Sequence, residues 1–187
     1  MKHHILTTGI SILTNFINSQ EPRPKMEEAI RQNRRLLKYL SDNPTSASAE
    51  INSLQKRTCF LESGGQDLSV TLIHTTSEEG RLVLALLKSF LKGKVSQVHT
   101  VPIKSFDAPR KEMGSAAAQA VALMALKEMR ARVTEHILKM QKQKAEIELN
   151  CTGGYKAEIA VLYQLGQTFE VPVYYLHESF KVCVTLP

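Results

Sequence analysis

Ser11 stands two residues after Gly9 in TTGISIL, and Lys156 stands two residues after Gly154 in NCTGGYKAE. The second stretch joins an apolar alternating run to a helical one, which puts Lys156 in the first turn of a helix. A cation there opposes a dipole whose N-terminal end already carries about half a positive charge. A bound anion relieves that conflict. Gly153 and Gly154 let the backbone approach a phosphate, the helix start offers unpaired N–H groups, and the lysine is a mobile donor. The same residues also fit a tight turn beside a solvated lysine. Neither G-x-x-x-x-G-K-[ST] nor G-x-G-x-x-G occurs around them, which disfavours a nucleotide triphosphatase and a nicotinamide dehydrogenase.

Ser11 reads either as part of the same site or as a helix cap. A serine hydrolase is disfavoured, because there is no G-x-S-x-G elbow and no histidine at a matched position. His177, in YYLHE, is the best acid–base candidate, although a histidine at a strand end more often has a structural hydrogen bond. No paired carboxylates sit where a metal or glycosidase site would need them. Glu78 and Glu79 read as favouring a helix N-terminus. Cys59, Cys151 and Cys183 are odd in number and far apart, with no C-x-x-C or metal-ligand spacing, so they read as unpaired thiols in a reducing, cytoplasmic compartment.

The elements that must position these residues follow from hydropathy. A chain of 187 residues that is 43% hydrophobic supports one domain, residues 1–187, with one substantial core. Its formal charge of +6 and pI near 9.3 suit an anionic partner without requiring one. No run is long enough to span a bilayer. The N-terminal MKHHILTTGISILTNF imitates a signal peptide but lacks a small-residue cleavage site and contains Asn15 and Asn18; it reads as a first strand and a loop, with His3 and His4 at a strand edge.

Strand patterns occur at about 3–8, 68–76, 95–103, 145–151, 171–176 and 181–186, several nearly continuous in apolar residues. Helical patterns occupy 27–41, 78–91 (capped by Thr76 or Ser77, stopped at Gly93) and 114–142, the last longer than a crossover needs and able to reach a partner or ligand. Residues 42–67 are dense in turn chemistry, with one short helix capped near Thr45 or Ser46. Strands alternating with helices give a three-layer α/β sandwich, a mainly parallel sheet of about six strands whose last two form an antiparallel hairpin. Ligands of such sheets bind beyond the carboxyl ends of the strands. Four segments fall there: 7–11, 74–77, 104–107 and 152–156.

TTGISILTNF, NCTGGYKAE and VPVYYLHE, in that order along nearly the whole chain, resemble the CRISPR-associated Rossmann-fold (CARF) family, and among its members the standalone ring nucleases. The resemblance implies a Rossmann-like homodimer that binds a cyclic oligoadenylate, usually cyclic tetra-adenylate, on its two-fold axis. It implies Ser11 and Lys156 as the catalytic pair, with Thr8, Gly9, Ile10, Asn15, Thr75, Thr76, Ser105, Thr152, Gly153 and Gly154 contacting the ligand. No metal or other cofactor is implied: a ribose 2′-hydroxyl attacks the adjacent phosphate, giving linear di-adenylate with a 2′,3′-cyclic phosphate, largely through positioning and charge stabilisation. Ile10 departs from the second small polar residue of many relatives. The lack of a following effector domain favours an enzyme acting on the ring. A sensor or sponge that holds the ring uncut, and an unrelated nucleotide or sugar-phosphate enzyme on the same fold, are the alternatives.

Overall fold

The structure, a computed structural model, describes residues 1–104, 114–177 and 179–187. Six strands form one sheet: β1 (Lys2–Thr7), β2 (Gly65–Thr75), β3 (Val95–Ile103), β4 (Glu146–Asn150), β5 (Val173–Leu176) and β6 (Cys183–Leu186). Their order is β3-β2-β1-β4-β5-β6, parallel through β5, with β6 antiparallel to it. The alternating apolar runs thus form the expected mainly parallel Rossmann-like sheet with a terminal antiparallel pair. The chain builds outward from β1 to β3 and then returns to place β4 on the other side of β1. The carboxyl ends of β1 and β4 are therefore the switch point at which such sheets open a crevice.

Nine helices join the strands among the described residues: α1 (Ser11–Asn18), α2 (Met26–Ala29), α3 (Asn33–Asp42), α4 (Pro44–Ala47), α5 (Ala49–Thr58), α6 (Phe60–Ser63), α7 (Glu78–Leu91), α8 (Ser115–Lys142) and α9 (Lys156–Phe169). Neighbouring residues of β1 serve opposite layers, as the pleat requires. Leu6 belongs to the core shared with Leu13, Leu36, Ile51 and Leu87 of α1, α3, α5 and α7. Ile5 belongs to the core shared with Met129, Val133, Ile137 and Leu162 of α8 and α9.

Several expectations change. The segment after β1 is a helix, not a loop, because Ile12, Leu13 and Phe16 form a buried stripe at helical spacing. The run 27–41 is two helices, broken where Gln32 leaves helical backbone at φ −98° and ψ 43°. Residues 42–67 hold three short helices: Pro44 starts α4, the Ser48 hydroxyl caps α5, and Cys59 at φ 54° ends it. Ser77 caps α7 as expected, accepting from the Gly80 amide. The long pattern is a single helix, α8, whose first residue buried in the core is Ala125; Leu123 and Met124 just before it are 51% and 63% exposed. Its opening turns therefore project beyond the packed layers. Cys151 lies in the core, where burial pushes its thiol up to about 12, and Cys183 is shifted in the same direction by burial, as suits unreactive thiols.

His3 and His4 are not at an edge. They lie in the centre of the sheet, with β2 on one side and β4 on the other, and are 0% and 1% exposed. Ser69 Oγ donates to the Lys2 carbonyl, so it accepts from His3 Nδ1 at 2.6 Å. His3 Nε2 is then an acceptor for the Thr71 hydroxyl at 2.8 Å, and that hydroxyl accepts from His136 Nε2 of α8 at 2.6 Å. On the other face, His4 Nδ1 meets the Tyr174 hydroxyl at 3.0 Å. Burial first, then the neighbouring imidazoles of His136, His99 and His4, lower the His3 imidazole to about 3; burial and then Arg57 and Lys2, against the opposing Glu148, lower that of His4 to about 4.

The unfolded chain binds these protons near pH 6.5, whereas the folded chain resists them until about pH 3 to 4. Stability from the neutral histidines is therefore full above pH 6.5 and falls as the pH drops through that window, with a limiting slope of about 1.4 kcal/mol per pH unit for each. Urea midpoints measured downward from neutral pH should decline. A flat profile would refute the neutral, buried state of this pair.

Candidate functional site

The exits of β1 and β4 meet at the switch point. A Cβ on Gly9 would lie 3.2 Å from the Gly154 amide nitrogen, so the two loops run in backbone contact. One on Gly153 would lie 2.7 Å from Glu50 Oε1 and 3.0 Å from the Thr7 carbonyl. Gly154 has φ +91°, and a Cβ there would also meet Glu158 Oε2 at 2.6 Å. The double glycine is thus required by close approach and by left-handed backbone. The Thr7 hydroxyl donates to the Gly153 carbonyl and fixes the loop to the end of β1.

Beneath both loops lies Glu50, in the first turn of α5 and 1% exposed. Its Oε1 accepts from the Gly9 amide at 2.7 Å; its Oε2 accepts from the Ser11 hydroxyl at 3.1 Å and the Ser48 hydroxyl at 2.7 Å. Ser11 Oγ also accepts from the Ala49 amide at 3.2 Å. Ser11 is therefore the first residue of α1 and not its cap; its hydroxyl is tied to α5. The β4 exit is held from the same side: Asn150 donates to Ser53 Oγ of α5 at 2.7 Å and accepts from the Thr152 amide at 3.0 Å. The Thr152 hydroxyl accepts from the Leu176 amide at 2.9 Å.

Lys156 is the first residue of α9, as the sequence predicts, and is exposed, forming none of the ion pairs among the described residues. Glu158 closes the turn behind it by accepting from the Tyr155 amide at 2.8 Å; burial pushes its carboxyl up and that hydrogen bond pulls the other way. Ile10 is 39% exposed beside Gly9. Thr8 gives its hydroxyl to the Ile73 carbonyl at 2.9 Å. Asn15 spends its amide on the Ser46 and Ala47 carbonyls at 3.0 and 3.1 Å, tying α1 to α4. At the β2 exit, the Thr75 hydroxyl pairs with Ser77 Oγ at 3.1 Å and the Thr76 carbonyl accepts from Arg81. Ser105 lies outside the described residues. His177 accepts from the Phe180 amide at 3.3 Å and stacks on its ring, a role in the turn before β6.

Glu50 is the site residue that sequence reasoning missed. The available signal was a serine two positions ahead of it, capping a short helix, but no spacing linked that helix to Gly9.

A family model described as CRISPR-associated protein (Cas_APE2256) matches residues 45–187. The chain belongs to that family. A Rossmann-like sheet in a CRISPR-associated family agrees with the resemblance carried by the three motifs. Among solved structures, protein VC1899 from Vibrio cholerae aligns at 9% identity and TM-score 0.48, over 99% of this chain and 33% of that one. Can2 from Sulfobacillus thermosulfidooxidans in complex with cyclic tetra-adenylate aligns at 11% and 0.49, over 100% and 35%. Enterococcus italicus Csm6 bound to cyclic hexa-2′-fluoro-hexa-dAMP aligns at 13% and 0.46, over 98% and 35%. The chain spans about a third of each of these proteins, and at such scores none bears on its chemistry.

The glycine constraint is measurable. Gly154→Ala should lower unfolding free energy by about 1–3 kcal/mol, since it combines positive φ with a clash against Glu158 and Thr7. Gly114→Ala, where a Cβ meets nothing within 4 Å among the described residues, should change it by less than about 1 kcal/mol in the same urea titration.

Proposed function

We propose that this protein is a metal-independent ring nuclease that binds cyclic tetra-adenylate and cuts it to linear di-adenylate ending in a 2′,3′-cyclic phosphate, thereby switching off type III CRISPR signalling. The observation that carries the reading is the meeting of the Gly9–Ser11 and Thr152–Lys156 loops at the switch point of a chain in a CRISPR-associated family. The backbone of Gly9, Gly153 and Gly154 approaches a phosphate, with Thr8, Ile10 and Thr152 around it. Lys156 stabilises the charge that builds on the phosphate oxygens, relieving its own conflict with the start of α9. Ser11 orients the attacking 2′-hydroxyl. Asn15, Thr75, Thr76 and Ser105 are assigned to more distant parts of the ring, where contacts require the homodimer. A symmetric ring fits a two-fold axis, on which each subunit offers the same loops.

A second reading, in which the ring is held without being cut, draws on the engaged state of Ser11, whose hydroxyl already has two partners in α5.

Single-turnover incubation with radiolabelled cyclic tetra-adenylate and EDTA separates the two. Cutting with EDTA present is expected. Lys156→Ala should slow it by about 100-fold or more while ring affinity changes by less than about tenfold, as for a group acting chiefly in the transition state. A bound ring that stays intact through long incubation would sink the nuclease reading and leave the binding one.

A further inference from the structure

Ser11 is bonded to one titratable side chain among the described residues, that of Glu50. The donors that hold this carboxylate, the Gly9 amide and the Ser11 and Ser48 hydroxyls, are all neutral. It joins none of the ion pairs among the described residues. The charged or titratable groups around it, among the described residues, come from two directions. From α9 they are Lys156 at the first position and Glu158, whose Oε2 lies against Gly154. Further along α5 they are Lys56 and Arg57, the latter bonded to Glu148 at 2.7 Å. The α1 and α4 sequences, SILTNFIN and PTSA, carry none, and those of β1 lie at its opposite end, in Lys2, His3 and His4.

Counting protons on Ser11 gives its capacity. The hydroxyl gives its single proton to Glu50 Oε2 and accepts from the Ala49 amide, which leaves one lone pair. Ser11 is therefore set to accept from a substrate hydroxyl. It cannot donate to a phosphate oxygen without breaking its bond to Glu50.

We propose that Glu50 is the terminal proton acceptor of ring opening and acts through Ser11. The inference rests on the ring-nuclease reading and deepens it. The 2′-oxygen bonds to phosphorus as its proton passes to Ser11 Oγ, while the proton already on Ser11 passes to Glu50 Oε2. The bond from phosphorus to the 5′-oxygen breaks, and that oxygen takes a proton from solvent. Glu50 then returns its proton to solvent through Ser11, which restores the resting state. Because Glu50 does not touch the ring, it is a relay and positioning residue. Its burial keeps bulk water from competing for the proton.

The test is the single-turnover rate of cyclic tetra-adenylate cleavage by the full chain, with EDTA, across the pH range in which the protein stays folded. The wild type should show an acidic limb. Glu50→Gln should remove that limb and slow cleavage on the order of 100-fold, with ring affinity within about threefold of wild type. In a Ser11→Ala background the same substitution should change the residual rate by less than about threefold, because a relay already broken at its first member has nothing more to lose. Ser48→Ala provides a second route where Glu50→Gln does not fold. It removes one donor to the carboxylate and should shift the acidic limb to higher pH. Glu50→Gln with wild-type rate and limb, equal slowing in both backgrounds, or an unshifted limb in Ser48→Ala would overturn the relay while leaving the nuclease reading intact. A wild type that binds the ring without cutting it overturns both.

Discussion

A carboxylate in the interior of a protein has to be satisfied locally, and among the described residues Glu50 is satisfied by neutral donors. That constraint organises the carboxyl edge of the sheet. The backbone amide of Gly9 must point down at the carboxylate, and Gly153 must pass over it with no side chain. Ser48 serves twice, giving its hydroxyl proton to Glu50 and accepting from the Ile51 amide as the cap of α5. Removing a partner from such a group costs about 1–3 kcal/mol or more, because the remaining acceptor stays buried. The β1 exit, the start of α1, the first turn of α5 and the β4 exit are consequently held as one unit.

The rest of α5 extends the same logic down the sheet. Ile51 and Leu54 enter the apolar layer, while Ser53 and Arg57 pair with strand residues. Ser53 meets Asn150, and Arg57 binds Glu148 and lies 5.2 Å over the Tyr174 ring, whose hydroxyl reaches His4. Polar matching fixes the angle and register of this helix in a way that apolar packing, which is non-directional, does not. The loop that carries Lys156 gains its rigidity from this spine, since Asn150 bonds both Ser53 and the Thr152 amide.

Strands, sheet class and the longer helices were legible because burial on two faces writes itself into apolar runs, as in Val70–Ile73, and because Ser77 caps α7 by a strong local rule. The convergence of Gly9 with Gly154 was legible only through the family resemblance, because it depends on β4 lying beside β1, and hydropathy does not reveal strand order. The 42–67 region was not legible. Its helices run from four to ten residues, and Glu50, Ser53 and Gln55 are buried despite being polar, so composition reads as turns and solvent. A buried carboxylate has the same letter as a surface one; only the tertiary contact distinguishes them. Asn15 shows the same limit in reverse, since the sequence does not announce that its amide N–H groups go to the Ser46 and Ala47 carbonyls.

The projecting start of α8 obeys a different economy from the rest of the chain. Its opening SAAAQAVALM is rich in alanine, the residue with the highest intrinsic preference for helix, and its shape owes little to the sheet. At about 1.5 Å per residue, roughly 15 Å of helix stands clear before Ala125 reaches the core. Its length can drift by single residues without moving Met129, Val133 or Ile137 from their places. The fold thus separates a cross-braced sheet edge from a rod whose reach is free to evolve.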